Sequence, residues 1–243
     1  MSISLIHKLY INYLKTQKRK SNKQIFENKL EVIIWVLKSG VPWNSLNDLK
    51  FKYTESNYRK FFYQLCNLRL LNDLFEYLKT FRQMEEISFI NSTNVRNKHG
   101  KSNSIGFCPQ DKKHKGNKIS LIVSEKGEPL GCSVDKASVH DLNLFEETIK
   151  NVKTKVIIGD KGYTSNKLKC NLMNRSIKLL YPFKKNSNKT HNIIDKKLLK
   201  KRSKVENIIG NLKKMKRIDS RYERNLNYFI GFVKLGLLLM IYK

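Results

Sequence analysis

Asp160 and Glu206 are the residues of this chain whose types and settings suit chemistry. Asp160 ends an apolar run, Lys155 to Asp160, that reads as a buried strand, and Lys161-Gly162-Tyr163 follows it. Its carboxylate therefore leaves a sheet edge where the backbone turns sharply, and strand ends are where α/β sites are built. Glu206 sits in a long basic helical stretch, with Arg202 four residues before it and Lys213 seven after. At about 3.6 residues per turn all three fall on one helix face. A lone glutamate held between cations suits a carboxylate that binds a metal beside phosphates. Locally, each pattern also has a plainer reading, a solvated turn for Asp160 and i to i+4 ion pairing for Glu206.

The whole chain is basic. Its 243 residues carry 49 Lys and Arg against 20 Asp and Glu, a formal charge of +29 spread along the full length. A nucleic acid is the natural partner of such a charge. Membrane-surface binding is the competing reading, and it would call for a basic amphipathic helix backed by lipid-facing aromatics or for a lipidation signal. The most apolar stretch, Tyr228 to Tyr242, is interrupted by Lys234 and is short for a membrane span, so it reads as a buried helix. Cys66, Cys108, Cys132 and Cys170 stand far apart without a C-x-x-C pair, which excludes the usual zinc spacing. The N-terminus lacks a signal-peptide cleavage pattern, and the expected location is intracellular. At 40% hydrophobic residues the chain has the material for a core.

Two regions must position the acids. Residues 1–85 read as a helical head. Lys23 to Lys38 places Phe26, Leu30, Ile33, Ile34 and Leu37 at helical spacing before Gly40 and Pro42, and Thr54 is placed to cap a further helix bearing Tyr58, Phe61, Phe62 and Leu65. Arg59 and Lys60 lie toward the exposed early turns of that helix, compatible with helix-turn-helix reading of DNA or with a plain helical bundle. Residues 86–243 change to an α/β pattern. Ile87 to Thr93 reads as a strand, Asn117 to Ser124 and Glu128 to Val134 as a hairpin, Val139 to Lys150 as a helix with Asp141 at its cap, and Ile177 to Phe183 as a further strand. Lys184 to Asn192 reads as an exposed loop, Lys196 to Ile218 as one long basic helix, and an apolar helix closes the chain. The order predicts a mixed sheet flanked by helices.

The motifs, taken together, resemble a known family. Val156-Ile157-Ile158-Gly159-Asp160-Lys161-Gly162-Tyr163, Lys201 to Ile208 and Arg217 to Arg224 are similar to the bacterial-type insertion-sequence DDE transposases. Ile34 to Trp43 and Tyr58 to Phe62 resemble that family's N-terminal head. Asn91-Ser92-Thr93, Lys115 to Lys118 and Val139-His140-Asp141 fall where its early catalytic motifs sit, so nearly all the chain after residue 25 is covered. The resemblance implies a ribonuclease-H-like catalytic domain that binds the inverted-repeat ends of a mobile element as a homodimer on double-stranded DNA. It also implies cutting and rejoining with two Mg²⁺ ions about 4 Å apart, or Mn²⁺ in their place, held by three carboxylates.

In that mapping Asp160 and Glu206 are the second and third acids, and Arg202 and Lys213 are the cations that accompany the glutamate, while the accompanying tyrosine is replaced by Leu199. The first acid is replaced by Asn91. An amide offers one neutral oxygen where a carboxylate offers two charged ones, so the resemblance implies an enzyme impaired at this position, or a DNA-binding protein descended from one. No spacing argument brings Asp111, Glu125, Asp135 or Asp141 into the site.

Overall fold

The computed structural model describes residues 2–16, 22–108, 114–183 and 190–241. Their contacts separate into two compact units. One takes residues 1–80, 98–101 and 212–243, and the other takes residues 81–97 and 102–211. The first unit opens with helices α1 (Ser2–Thr16), α2 (Lys23–Ser39), α3 (Glu55–Asn67) and α4 (Leu70–Thr80). Helix α2 starts where the Asn22 side chain accepts from the Ile25 amide at 3.2 Å, and it buries Phe26, Leu30, Ile33 and Leu37. It stops at Gly40, whose φ of 75° a residue with a side chain adopts only at a cost. Helix α3 buries Tyr58, Phe61, Phe62 and Leu65, as the spacing predicts. Its cap differs from expectation, because the Thr54 side chain makes no capping bond. Asn47 Oδ1 accepts from the Glu55 amide at 3.3 Å instead. A cap supplied from the preceding 3₁₀ turn, Trp43–Asp48, has no local sequence signature.

The second unit is α/β. Its elements are β1 (Glu85–Asn97), β2 (Gly106–Phe107), β3 (Lys115–Ser124), β4 (Pro129–Lys136), α5 (Asp141–Ile149), β5 (Thr154–Ile158), α6 (Asn166–Asn174), β6 (Lys178–Leu180), α7 (Ile193–Lys200) and α8 (Ser203–Lys213). Strand β3 pairs antiparallel with both β1 and β4, and β5 pairs parallel with both β1 and β6. Five strands therefore run side by side in the order β4, β3, β1, β5, β6. The β3–β4 hairpin turns where expected, at Gly127, with φ of 85°. On one side of the sheet Ile90, Ile122 and Ile157 pack with Phe145 and Ile149 of α5, Leu168 and Leu172 of α6, and Tyr163.

The basic stretch from Lys196 to Ile218 is not one helix. It divides into α7, α8 and α9 (Lys216–Asp219), with breaks at residues 201–202 and 214–215. Helix α7 buries nothing, whereas Val205, Ile209 and Leu212 of α8 and Ile218 of α9 are buried. Periodicity carries through a turn that redirects the axis, so spacing alone reads the three as continuous. The part of the Lys184 to Asn192 tract at residues 184–189 lies outside the described residues.

From Leu212 onward the chain belongs to the helical unit, with β7 (Ser220–Arg221) and α10 (Leu226–Ile241). The helical unit is thus larger than a head of residues 1–85. The reason is that α10 is apolar on almost every side and must be enclosed. Phe232 stacks on Phe62 with ring centres 4.1 Å apart, and Tyr228 stacks on Tyr63 at 3.7 Å. Lys234 is itself buried, its ammonium 4.2 Å from the centre of the Phe75 ring. Among the described residues no helix is long and apolar enough to cross a membrane.

A buried ion pair holds the C-terminal return to the N-terminal helices. Arg217 Nη1 meets Glu223 Oε1 at 3.2 Å, with only 3% and 1% of the two side chains exposed, and Arg217 Nη2 donates to the Val41 carbonyl at 2.8 Å. Burial raises the Glu223 pKa and lowers that of Arg217, while each charge opposes the shift of the other. Removing one partner leaves an uncompensated buried charge. Arg217→Met should therefore cost about 3–5 kcal/mol in urea unfolding, and Arg217→Met with Glu223→Leu should recover much of that loss.

Candidate active site

The sheet register determines which side chains can meet. Phe89 of β1 is opposite Ile158 of the parallel strand β5, two residues before Asn91 and Asp160 respectively, and the ladder ends there. Strand β5 ends at Ile158. Gly159 donates to the Leu180 carbonyl at 2.9 Å, and Asp160 then leads into a 3₁₀ turn over Lys161–Tyr163. Asp160 Oδ1 accepts from the Gly162 amide at 2.7 Å, and Tyr163, fully buried against Phe145, anchors the turn beneath. The sharp turn read from Asp-Lys-Gly-Tyr is therefore present, and it is bound to the core.

Asn91 lies in the middle of β1, opposite Leu121 of β3, and is half-buried. Its Oδ1 accepts from the Ser92 amide at 2.8 Å. The amide oxygen is thus already used by the strand's own backbone.

Asp141 enters the site although spacing gave no reason to place it there. The residue that caps α5 is His140, whose Nδ1 accepts from the Leu142 amide at 3.3 Å, and not Asp141 as expected. Asp141 is the first helical residue, and its carboxylate is turned to the sheet. Oδ1 accepts from Ser92 Oγ at 2.7 Å and pairs with Lys118 Nζ at 3.0 Å. Lys118, buried on β3, also donates to the Val139 carbonyl at 2.6 Å. A side chain at Gly162 would begin 2.9 Å from Asp160 Oδ1 and 3.4 Å from Asp141 Oδ2. The two carboxylates therefore border one small space, which glycine leaves open. Only the tertiary fold joins Asp141 to Ser92 and Asp160, although Val139-His140-Asp141 was visible as a motif.

Glu206 lies in the first turn of α8 and is half-exposed. Its carboxylate pairs with Arg202 at 3.0 Å, so the i to i+4 pair is real. The N-terminal end of α8 is moored to the β3–β4 turn: Lys201 Nζ meets Glu125 Oε1 at 2.7 Å, Lys204 Nζ donates to the Glu125 carbonyl at 2.6 Å, and Ile208 covers Gly127. The hydrogen bond from Lys201 holds the Glu125 pKa below its ordinary value. Lys213 ends α8 and pairs with Asp219 at 3.9 Å. On α3, Arg59 pairs with Glu55 at 3.1 Å, and Lys60 is exposed. The structure thus brings Asp141 to Ser92 and Asp160 and joins Arg202 to Glu206, while Asn91 bonds to the neighbouring Ser92 amide. Among the described residues, no cluster of three or more His, Cys, Asp or Glu is arranged to hold a metal.

A mixed sheet flanked by helices, with an acid just beyond the parallel strand β5, has the ribonuclease-H-like architecture of transposase cores. The chain belongs to the transposase DDE domain family, whose model matches residues 81–226. No curated protein matches it. Among solved structures it is similar to a piggyBac transposase synaptic complex with hairpin DNA, with a TM-score of 0.56 at 12% identity, over 92% of this chain and 66% of that one. It also aligns with a pre-cleavage Mos1 transpososome, with a TM-score of 0.33 at 8% identity, over 88% of this chain and 77% of that one.

Tyr163 provides a check on the packing beneath the site. Its hydroxyl lies near those of Ser92 and Ser120 but makes no hydrogen bond of ordinary geometry with either. Burial raises its pKa, and the Asp141 and Asp160 carboxylates raise it further. An unpartnered buried hydroxyl contributes little. Tyr163→Phe should therefore change stability by less than about 1 kcal/mol in metal-free buffer, whereas Tyr163→Ala should cost about 3–5 kcal/mol through the cavity it leaves.

Proposed function

We propose that this protein is a transposase that binds the inverted-repeat ends of a mobile element and acts on DNA by metal-dependent phosphoryl transfer, with catalysis weakened by Asn91. The observation that supports this reading is a DDE-family domain in which Asp160 follows β5, the strand paired in parallel with the Asn91-bearing strand β1. Asp160 and Glu206 serve as metal ligands, with Asn91 at the first ligand position. Hard oxygen donors of this kind suit Mg²⁺ or Mn²⁺. The bound ions would activate the attacking oxygen and stabilise the leaving one. The chain's own residues hold the strand ends, orient the carboxylates and supply cations to the DNA.

The charge of +29 supports a polyanionic partner, double-stranded DNA, and the family resemblance supports its engagement by a homodimer. Arg202 fits a contact near the scissile phosphate, because a guanidinium engages phosphate with two parallel donors, and Lys213 adds a point charge. Arg59 and Lys60 on α3 fit a DNA-facing helix. In gel-shift titrations Arg202→Ala should weaken binding to the element's ends much more than Lys200→Ala does. Equal losses would mean that the Arg202–Glu206 pair is only a solvated helix pair.

A second reading, a DNA-binding protein that no longer cuts, is favoured by Asn91 itself, whose amide oxygen is neutral and bonded to Ser92. One experiment separates the two readings. Nicking of a duplex bearing the element's ends is compared in Mg²⁺ or Mn²⁺ for the natural protein, Asn91→Asp, and Asn91→Asp with Glu206→Gln. The lost charge corresponds to roughly 3 kcal/mol, so Asn91→Asp should raise the rate by about a hundredfold, and Glu206→Gln should abolish the gain. Equal cutting by the natural protein and Asn91→Asp would refute impairment. Binding without cutting by all three would favour the non-cutting protein.

A further inference from the structure

We propose that a cavity in the helical unit binds a single unpaired nucleotide, with its base on tyrosine rings and its phosphate on arginines. This rests on the DNA-binding reading above and deepens it. The cavity measures about 480 Å³, within the size of small-ligand sites, and all its walls belong to the helical unit. They come from four places in the sequence: Trp43 of the 3₁₀ turn, Arg59 and Tyr63 of α3, His99 beyond β1, and Arg217 with Tyr222 to Arg224 around β7. The segment Arg217 to Arg224, one of the motifs that stand out in the sequence, supplies half of this wall and no residue of the candidate active site.

The wall selects the ligand. Tyr63 and Tyr222 are half-buried, so ring surface remains for a planar group. Each ring is backed by a neighbour, Tyr63 by Tyr228 with ring centres 3.7 Å apart and Tyr222 by the Arg217 guanidinium 5.1 Å from its centre, and is thereby held in place. Such fixed rings stack any base, because every base has a π-face. The charge around them favours an anion. Glu223, the acid among the lining residues, is neutralised by Arg217. Arg59 lies four residues before Tyr63 and so shares its helix face. It divides its charge with Glu55, whereas the exposed Arg224 side chain has no partner among the described residues. A planar ring beside a phosphate describes a nucleotide. A base stacked in a duplex cannot enter a cavity of this size, so the nucleotide must have left the stack, which costs least where it is already unpaired.

The test uses the full chain and fluorescence anisotropy with two labelled probes, a short paired duplex and the same duplex carrying one bulged adenosine. The natural protein should bind the bulged duplex about tenfold more tightly, in line with the strength of base stacking on aromatic rings, and Tyr222→Leu and Arg224→Gln should each bring the ratio to within about twofold of unity. Lys60→Gln, which removes a charge from α3 outside the cavity, should weaken both duplexes alike and keep the ratio. Free dAMP, followed by tryptophan fluorescence, distinguishes the sources: a preference for the bulge assigns the site to a DNA strand, whereas dAMP binding that Tyr222→Leu abolishes, without that preference, assigns it to a free nucleotide. Equal affinity for the two duplexes with no dAMP binding would overturn the proposal and leave the double-stranded DNA reading intact, as would a ratio that neither variant changes. Failure to bind either duplex would count against that reading, and dAMP binding would then decide the cavity. Should Tyr222→Leu fail to fold, Arg224→Gln decides, because its side chain is exposed.

Discussion

The site depends on the pairing of β1, a strand that is bonded on both sides. Antiparallel contact with β3 and parallel contact with β5 fix β1 in register from Glu85 to Arg96. A slip of one residue would turn Ile90 and Ser92 to the other face of the sheet and Asn91 away from its own. The parallel partner sets Ile158, two residues before Asp160, against Phe89, two residues before Asn91, and the antiparallel partner sets Ser120 opposite Ser92. The chemistry of this edge is therefore set by main-chain hydrogen bonds, and the side chains only fill positions that the ladder has already chosen. The apolar cluster of Ile90, Ile122, Phe145 and Tyr163 locks the register by making a slip expensive.

Electrostatics then explains why so basic a chain keeps acids here. With 49 cations and 20 anions, a carboxylate that is not needed would be expected to find a lysine and be neutralised. Several do so on the surface, as in the Glu86–Lys155 and Asp195–Lys178 pairs. Such exposed pairs add little stability. Asp160 differs, because its carboxylate is held by a backbone amide and pairs with no cation among the described residues. Asp141 is intermediate, with one oxygen neutralised by Lys118 and the other open. Glu206 is paired with Arg202, a contact that DNA phosphates could compete for when they approach the helix.

The strands, the hairpin turn at Gly127 and the Asp160 turn were legible in the sequence because each rests on local pattern, alternation or an apolar run ending at glycine. The stop of α2 at Gly40 and the buried face of α3 were legible for the same reason. What was not legible depends on chain-distant partners. The breaks inside Lys196 to Ile218 answer to burial of Val205 and Ile209, which periodicity cannot see. The return of α10 to α3 rests on aromatic stacking across well over a hundred and fifty residues of chain, between Phe62 and Phe232. Asp141 read as a cap because Asp is a favoured capping residue. His140 takes that role, and the displacement by one position is what frees the carboxylate to face Ser92.

The one-position shift also sets where negative charge stands at this end of the sheet. Asn91 points its oxygen at the adjacent amide, so the middle of β1 presents no carboxylate there. Asp160, just beyond the end of β5, and Asp141, at the start of α5, flank the turn at Gly162 instead. Each is held by its own hydrogen bonds, Asp160 to the Gly162 amide and Asp141 to the Ser92 hydroxyl, so neither has to be ordered when a ligand arrives. Phosphoryl transfer is sensitive to ångström-scale misplacement, so what this edge can do depends on the strand register and the two side-chain bonds that fix these acids.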